Sequence, residues 1–95
     1  MKIGDINRGN KPSLLAPMED VTDSPFRTIC RRKGASVVYT EFISSEAIVR
    51  DNDQALHKMD FTEEQRPFGV QIFGGREEAM EDAAKTAEEE NPDII

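Results

Sequence analysis

The sequence predicts an α/β fold built on a parallel sheet. Three observations carry this reading: strand-like runs alternate with helical runs along the chain, the third strand-like run is apolar at nearly every position, and glycine, proline or capping residues fall at the junctions. Strands joined through helices run parallel, and their crossovers are right-handed. Three complete strand-helix units are present, followed by the opening of a fourth strand.

The first inner strand is expected at Leu14 to Pro17. Pro17 has no N–H to give to a ladder and ends it. A short polar loop then leads to a helix from Phe26 to Lys33, with Asp23 or Ser24 as its cap and Pro25 preorganised for the first turn. Gly34 stands where a left-handed residue closes a helix. The second strand, Val37 to Phe42, is β-branched and aromatic, and Ser44 or Ser45 offers a cap to a helical stretch through Ala47 and Ile48. Asp51-Asn52-Asp53 interrupts that stretch. Residues 53–59 resume as a short helix, and Phe61 to Arg66 connect onward, with Thr62 as a cap and Pro67 as the stop.

Phe68 to Phe73 is the third strand. It is apolar on both alternations except at Gln71, as expected of a strand covered on both faces. Gly74-Gly75 turns the chain. From Arg76 to about Glu90, Met80, Ala83, Ala84 and Ala87 form a narrow small-residue stripe suited to packing on a sheet. Asn91-Pro92 ends that helix, and Asp93-Ile94-Ile95 opens the fourth strand.

Composition narrows the function classes. The 95 residues make one small domain, which buries only about 60–65% of its unfolded surface. With 37% hydrophobic and 33% charged residues, the chain reads as soluble rather than disordered. Its apolar runs are far shorter than the roughly 20 residues that span a bilayer, and Met1-Lys2-Ile3-Gly4-Asp5 lacks the apolar core of a signal peptide, so no membrane and a cytoplasmic location are expected. A net charge of −7 argues against the segment gripping nucleic acid by itself. Glu77, Glu78, Glu81, Asp82, Glu88, Glu89 and Glu90 read as the solvated face of the last helix rather than a metal site. The single cysteine, Cys30, excludes an internal disulfide and cannot alone make a thiolate metal site. It reads as a small core residue, with a reactive thiol beside Arg27, Arg31, Arg32 and Lys33 as the alternative. His57, among Gln54, Lys58 and Asp60, reads as a surface residue.

Two architectures suit parallel strands, the closed eightfold barrel and the open doubly wound sheet, and both collect function at the carboxyl ends of strands. No Gly-x-Gly-x-x-Gly loop follows the first strand, and Gly69 with Gly74-Gly75 does not replace it. An eightfold barrel of about 250 residues needs more than twice this chain. A chain that stops inside an apolar strand leaves that strand unpartnered, so a truncated fragment is expected.

Leu15-Ala16-Pro17-Met18-Glu19-Asp20-Val21-Thr22-Asp23, Tyr39-Thr40-Glu41-Phe42 and Val70-Gln71-Ile72-Phe73-Gly74 occur in that order, one in each unit. Together they resemble the N-terminal part of the tRNA-dihydrouridine synthases, over about Ile3 to Ile95. Ala-Pro-Met at a strand end also occurs in other flavin barrels, and only the ordered set is specific. The resemblance implies an α/β fold made of the first three β/α units, plus the start of strand 4, of an FMN-binding (β/α)8 TIM barrel. Residues 1–95 would then be the incomplete N-terminal portion, with the rest of the barrel and a C-terminal helical domain absent. It further implies reduction of uridines in tRNA with electrons from NADPH. A dihydroorotate dehydrogenase-like FMN barrel, or a non-catalytic βα fragment that self-associates through open sheet edges, are the alternatives.

By position, the resemblance puts Pro17, Met18 and Glu19 under the flavin ring, mainly through backbone contacts, and sets Gln71 against the ring's polar edge. An uncharged amide can both donate to and accept from flavin carbonyl and N–H groups. Capping a neighbouring backbone is the alternative use of Gln71. Glu41 is expected near the active-site mouth, or else outward and paired with an arginine, since a carboxylate on an apolar strand needs a partner. The implied chemistry passes a hydride from flavin N5 to uridine C6, with a cysteine as general acid at C5. That cysteine belongs to an Asn-x-Gly-Cys-Pro segment just after the fourth strand, beyond Ile95. Cys30 does not match it, so this chain is expected to hold no catalytic residue and to be inactive alone, with weak or no FMN retention.

Overall fold

The computed structural model describes residues 2–95. It opens on an antiparallel hairpin absent from the sequence reading, β1 (Lys2–Ile3) and β2 (Ile6–Asn7), paired Lys2 with Asn7 and Ile3 with Ile6. Gly4, at φ 55°, makes the tight reversal possible, because its conformation is costly for a residue with a Cβ. The remainder is mixed α/β: α1 (Ser24–Arg32), β3 (Val38–Tyr39), β4 (Ile43–Ser44), α2 (Ser45–Val49), α3 (Asp53–His57), a 3-10 turn at Glu63–Gln65, β5 (Phe68–Gly69), β6 (Ile72–Phe73) and α4 (Glu77–Glu89).

All inner pairings are parallel. Leu14 bridges Val37, β3 pairs with β5, β4 with β6, and Gly69 bridges Ile94. Four segments therefore lie side by side in chain order, and no reversal of strand order occurs among the described residues. The expected first strand, Leu14 to Pro17, contracts to the Leu14 bridge and one further bond from Leu15 N to Val37 O at 3.0 Å. The fourth contracts likewise to Ile94.

The second and third strands were expected to be continuous, and each is broken in the middle. Tyr39 pairs with Gly69 and Ile43 with Ile72, so residues 40–42 lie opposite residues 70–71, one residue longer on the first side. This is a β-bulge, and it changes the register of side chains beyond it. The ladder is carried across the gap by Thr40 N donating to Gly69 O at 2.9 Å, Gln71 N to the Thr40 hydroxyl at 3.0 Å, and Ile43 N to Gln71 O at 2.9 Å.

Caps fix the helices. Phe26 N donates to Asp23 Oδ1 at 3.0 Å, so α1 starts at Ser24, two residues before the expected Phe26, with Pro25 in its first turn. Gly34 follows the helix end at φ 109°. Ser44 caps α2 and Asn52 caps α3, which ends at His57 rather than at residue 59. Thr62 occupies the cap position of the 3-10 turn, but its side chain makes no capping bond there, contrary to expectation.

The core lies between the sheet and the helices and holds Val38, Ile43, Ile48, Ala55, Met59, Phe68, Val70, Ala83 and Ala87. On α4 the buried positions are Ala83 and Ala87, as expected, and Ala79, which the expected stripe lacked, while Met80 and Ala84 are half-buried. A row of alanines at four-residue spacing lets α4 pack closely against α2. The seven acidic residues from Glu77 to Glu90 are exposed, and no group of metal-ligating side chains occurs among the described residues. No described helix is long and apolar enough to cross a membrane.

Candidate functional site

Strand alternation separates two faces. Val38 and Phe68 point into the helix-side core, whereas Tyr39, next to Val38, and Gln71 line a cleft that core Val70 and Met80 of α4 also border. The cleft has a volume of about 590 Å³ and is bounded by Pro17, Tyr39, Val70, Gln71, Ile72, Met80, Ile94 and Ile95. It is mostly apolar, with Gln71 and Tyr39 supplying polar groups, the usual make-up of a small-molecule site. Pro17 and Gln71, 54 positions apart in the sequence (71 − 17), thus meet at one cleft. Met18 and Glu19 are exposed and lie outside its lining.

The Gln71 backbone is fully used in the ladder, but its carboxamide has no hydrogen-bond partner among the described residues. The amide does not cap a neighbouring backbone. Tyr39 completes the floor. A Cβ on Gly69 would stand 2.3 Å from Tyr39 Cδ1, so the ring can lie along the sheet only because Gly69 has no side chain. Sequence reasoning missed this pair; its signal was a glycine within an otherwise apolar strand.

The loop leading from Pro17 to α1 is held by its own polar atoms. Thr22 is fully buried, and its hydroxyl accepts from Met18 N and donates to Met18 O, both at 3.0 Å. Met18 O also accepts from Val21 N at 3.1 Å and from Thr22 N at 3.0 Å. Asp20 sits at the apex with φ 61°, a left-handed conformation that aspartate tolerates better than most residues.

Glu41 meets this loop rather than the Gln71 cleft. It is 9% exposed; its Oε2 accepts from Asp20 N at 2.6 Å, and its Oε1 pairs with Lys58 Nζ at 3.3 Å. Its cationic partner is a lysine, not the arginine weighed from sequence. Together with Thr22, Asp23, Arg27, Gln54, His57 and Asp60, Glu41 and Lys58 border a second hollow of about 460 Å³. His57 is exposed there, with Nδ1 2.7 Å from Asp60 Oδ2.

Behind the loop lies a buried network that sequence reasoning did not find. Arg27, which the sequence offered only as one of the cations beside Cys30, is 2% exposed. It donates to Thr22 O at 2.7 Å, Asp60 O at 2.8 Å and Gln65 Oε1 at 3.0 Å, and its guanidinium lies 5.1 Å from the Phe68 ring centre. Burial pushes its pKa down from the ordinary arginine value, opposed by the charges of Asp23, Glu41 and Asp60. Guanidinium remains charged in proteins all the same. Gln65, fully buried, returns its amide to Ser24 and Thr28 on α1. Cys30, on the same helix, is half-buried and unbonded by disulfide.

A family model described as dihydrouridine synthase (Dus) matches residues 14–95. A protein of Aquifex aeolicus named "Probable tRNA-dihydrouridine synthase" is 43% identical over 83 residues, covering 86% of this chain and 26% of that protein. A tRNA-dihydrouridine synthase B of Pseudomonas syringae is 38% identical over 82 residues, 86% of this chain and 24% of the relative. Another from Shewanella oneidensis is 37% identical over 95 residues, 100% of this chain and 29% of the relative. The chain therefore spans about a quarter of the length of the curated relatives it matches.

Proposed function

This chain belongs to the dihydrouridine synthase family, and on that premise we propose that the protein carrying it reduces uridine in tRNA to 5,6-dihydrouridine, using FMN and NADPH. The observation that carries the reading is the meeting of Pro17 and Gln71 at one apolar cleft, within a chain whose residues 14–95 match the family. The side-by-side parallel order of the four strand segments supports a wedge of a (β/α)8 barrel, whose strands follow one another in sequence around the ring.

The residues present fit a flavin. Tyr39 lies where a Cβ on Gly69 would collide with it, leaving a flat floor, and the free Gln71 carboxamide offers a donor and an acceptor at the rim. Pro17 would hold the ring with its apolar surface and backbone, and Met18 and Glu19 would contribute backbone groups from the adjoining loop. When bound, FMN supplies the hydride chemistry that no amino-acid side chain provides. Tyr39, Val70 and Ile94 keep water from one side of the cleft, and Gln71 orients what enters it.

In this reading the chain supplies one wall of the site. Proton delivery falls to a cysteine outside these 95 residues, since Cys30 lies on α1 and not among the cleft residues. The test is to purify the full-length protein and incubate it with NADPH and tRNA lacking dihydrouridine, then digest the tRNA to nucleosides for mass spectrometry. A flavin spectrum that survives desalting and a two-hydrogen mass gain in uridine are expected. A colourless protein and unchanged uridine would overturn the reading.

A further inference from the structure

We propose that Glu41 is a positioning residue for the cofactor loop: its buried carboxylate holds the left-handed apex at Asp20 and so fixes where Pro17, Met18 and Glu19 stand. This rests on the FMN reading above for its consequence, but the latch itself is a property of the chain.

Ahead of the end that Arg27 anchors at Thr22 O, two clasps close the loop, and they act on different atoms. Thr22 ties the loop to itself through both backbone groups of Met18. That clasp sets the loop's internal shape, and Arg27 anchors its far end through Thr22 O at 2.7 Å, which leaves the apex at Asp20 to be held. Glu41 provides the second, reaching from the bulge between β3 and β4 to Asp20 N at 2.6 Å. The carboxylate thus joins the loop after the first strand segment to the second strand. A charged acceptor on a backbone N–H makes one of the stronger hydrogen bonds available to a protein. It is placed at a residue whose φ of 61° lies in the left-handed region.

The bulge explains how a carboxylate comes to face the loop. The extra residue in 40–42 shifts the alternation, so Glu41 leaves the face that carries Tyr39 and turns to the hollow beside α1. Lys58 balances its charge at 3.3 Å, and its side chain is itself one-third exposed, so the pair is not sealed from water. Lys58 is then an accessory: it compensates the charge, whereas the bond to Asp20 sets the geometry.

Three variants of the full-length protein separate these roles: Glu41→Ala, Glu41→Gln and Lys58→Met. Two readouts are taken, amide hydrogen exchange at Asp20 without flavin and the FMN dissociation constant by flavin fluorescence. Glu41→Ala is expected to speed exchange at Asp20 and weaken FMN binding, each by about tenfold or more, the size of a lost hydrogen bond to a charged group. Glu41→Gln keeps an acceptor and is expected to restore both to within about fivefold of the parent, and Lys58→Met to change each by less than about threefold. Exchange at Asp20 unchanged in Glu41→Ala, or Glu41→Gln as impaired as Glu41→Ala, would overturn the proposal. Should Glu41→Ala not fold, Glu41→Gln and Lys58→Met decide, and a larger loss in Lys58→Met than in Glu41→Gln is then the overturning result. If the parent protein binds no FMN, the functional reading fails, while exchange at Asp20 still tests the latch.

Discussion

Gln65 and Gln71 carry the same side chain six positions apart and serve opposite ends (71 − 65). The Gln65 amide is fully buried and its nitrogen reaches Ser24 and Thr28, while its oxygen takes the Arg27 Nε–H. Gln71 commits its backbone to the ladder and leaves its carboxamide exposed in the cleft. A buried amide with every group paired fixes one arrangement of its neighbours, whereas an amide without internal partners is available to a ligand. The difference separates what builds this chain from what it offers.

The sharpest way to break the comparison is to remove the committed glutamine. In Gln65→Leu the Arg27 Nε–H loses its acceptor and the hydroxyls of Ser24 and Thr28 lose the amide donor, although Thr28 still donates to Ser24 O, and a buried charged donor is left unsatisfied. A loss of about 3 kcal/mol is expected, read as a lower urea midpoint with an unchanged slope. A loss below about 1 kcal/mol would mean that water or a rearranged Arg27 replaces the amide with little cost, and that the network does not secure α1.

Such a residue could not be found from sequence. Gln65 follows Thr62, Glu63 and Glu64, and nothing in that polar run marks the one member that turns inward. Arg27 was equally opaque, because it shares a basic stretch with Arg31, Arg32 and Lys33 and only the folded position of Phe68 and Gln65 makes its burial affordable. By contrast, the alternation of strands and helices was legible, since caps at Asp23 and Ser44, the stop at Gly34 and the alanine spacing of α4 are local properties. Local patterns could not reveal the bulge. One extra residue in 40–42 depends on where two strands register, so Glu41 ends at Asp20 rather than at the mouth of the Gln71 cleft or beside an arginine. Pro17 and Gln71 were singled out through the ordered motifs, and the fold sets both on the lining of one cleft.

Removing the uncommitted glutamine should separate the two effects. Gln71→Leu deletes no internal side-chain bond, so stability should change by less than about 0.5 kcal/mol, as for most exposed positions. FMN affinity of the full-length protein should fall by about tenfold, the cost of one unmade polar contact. Urea midpoint and flavin fluorescence on the same variant make the check. A stability loss without an affinity loss would assign Gln71 to the framework and sink its role in the cleft.

The smallest effect is expected from the exposed ion pairs, which set a baseline for both glutamines. Arg76 forks onto Glu46, with Nε to Oε1 at 2.6 Å and Nη2 to Oε2 at 3.0 Å, joining α2 to the start of α4. Arg32 grips Glu64 in the same way, through Nε and Nη2. The arginine hydrogen bonds hold both carboxyls below the ordinary glutamate value of 4.5. A carboxyl with a lower pKa folded than unfolded adds stability above its unfolded value and loses it as pH falls through the folded value. The contribution is thus present at neutral pH and fades on acidification below 4.5. Because these pairs are open to water and salt, their share is small. Arg76→Ala should lower the neutral-pH urea midpoint far less than Gln65→Leu does, and the difference from the parent should shrink in acid and in high salt. An Arg76→Ala loss as large as that of Gln65→Leu, or one that persists in acid, would show that forked surface pairs secure this chain as firmly as its buried amide, and the contrast between committed and uncommitted groups would no longer mark the site.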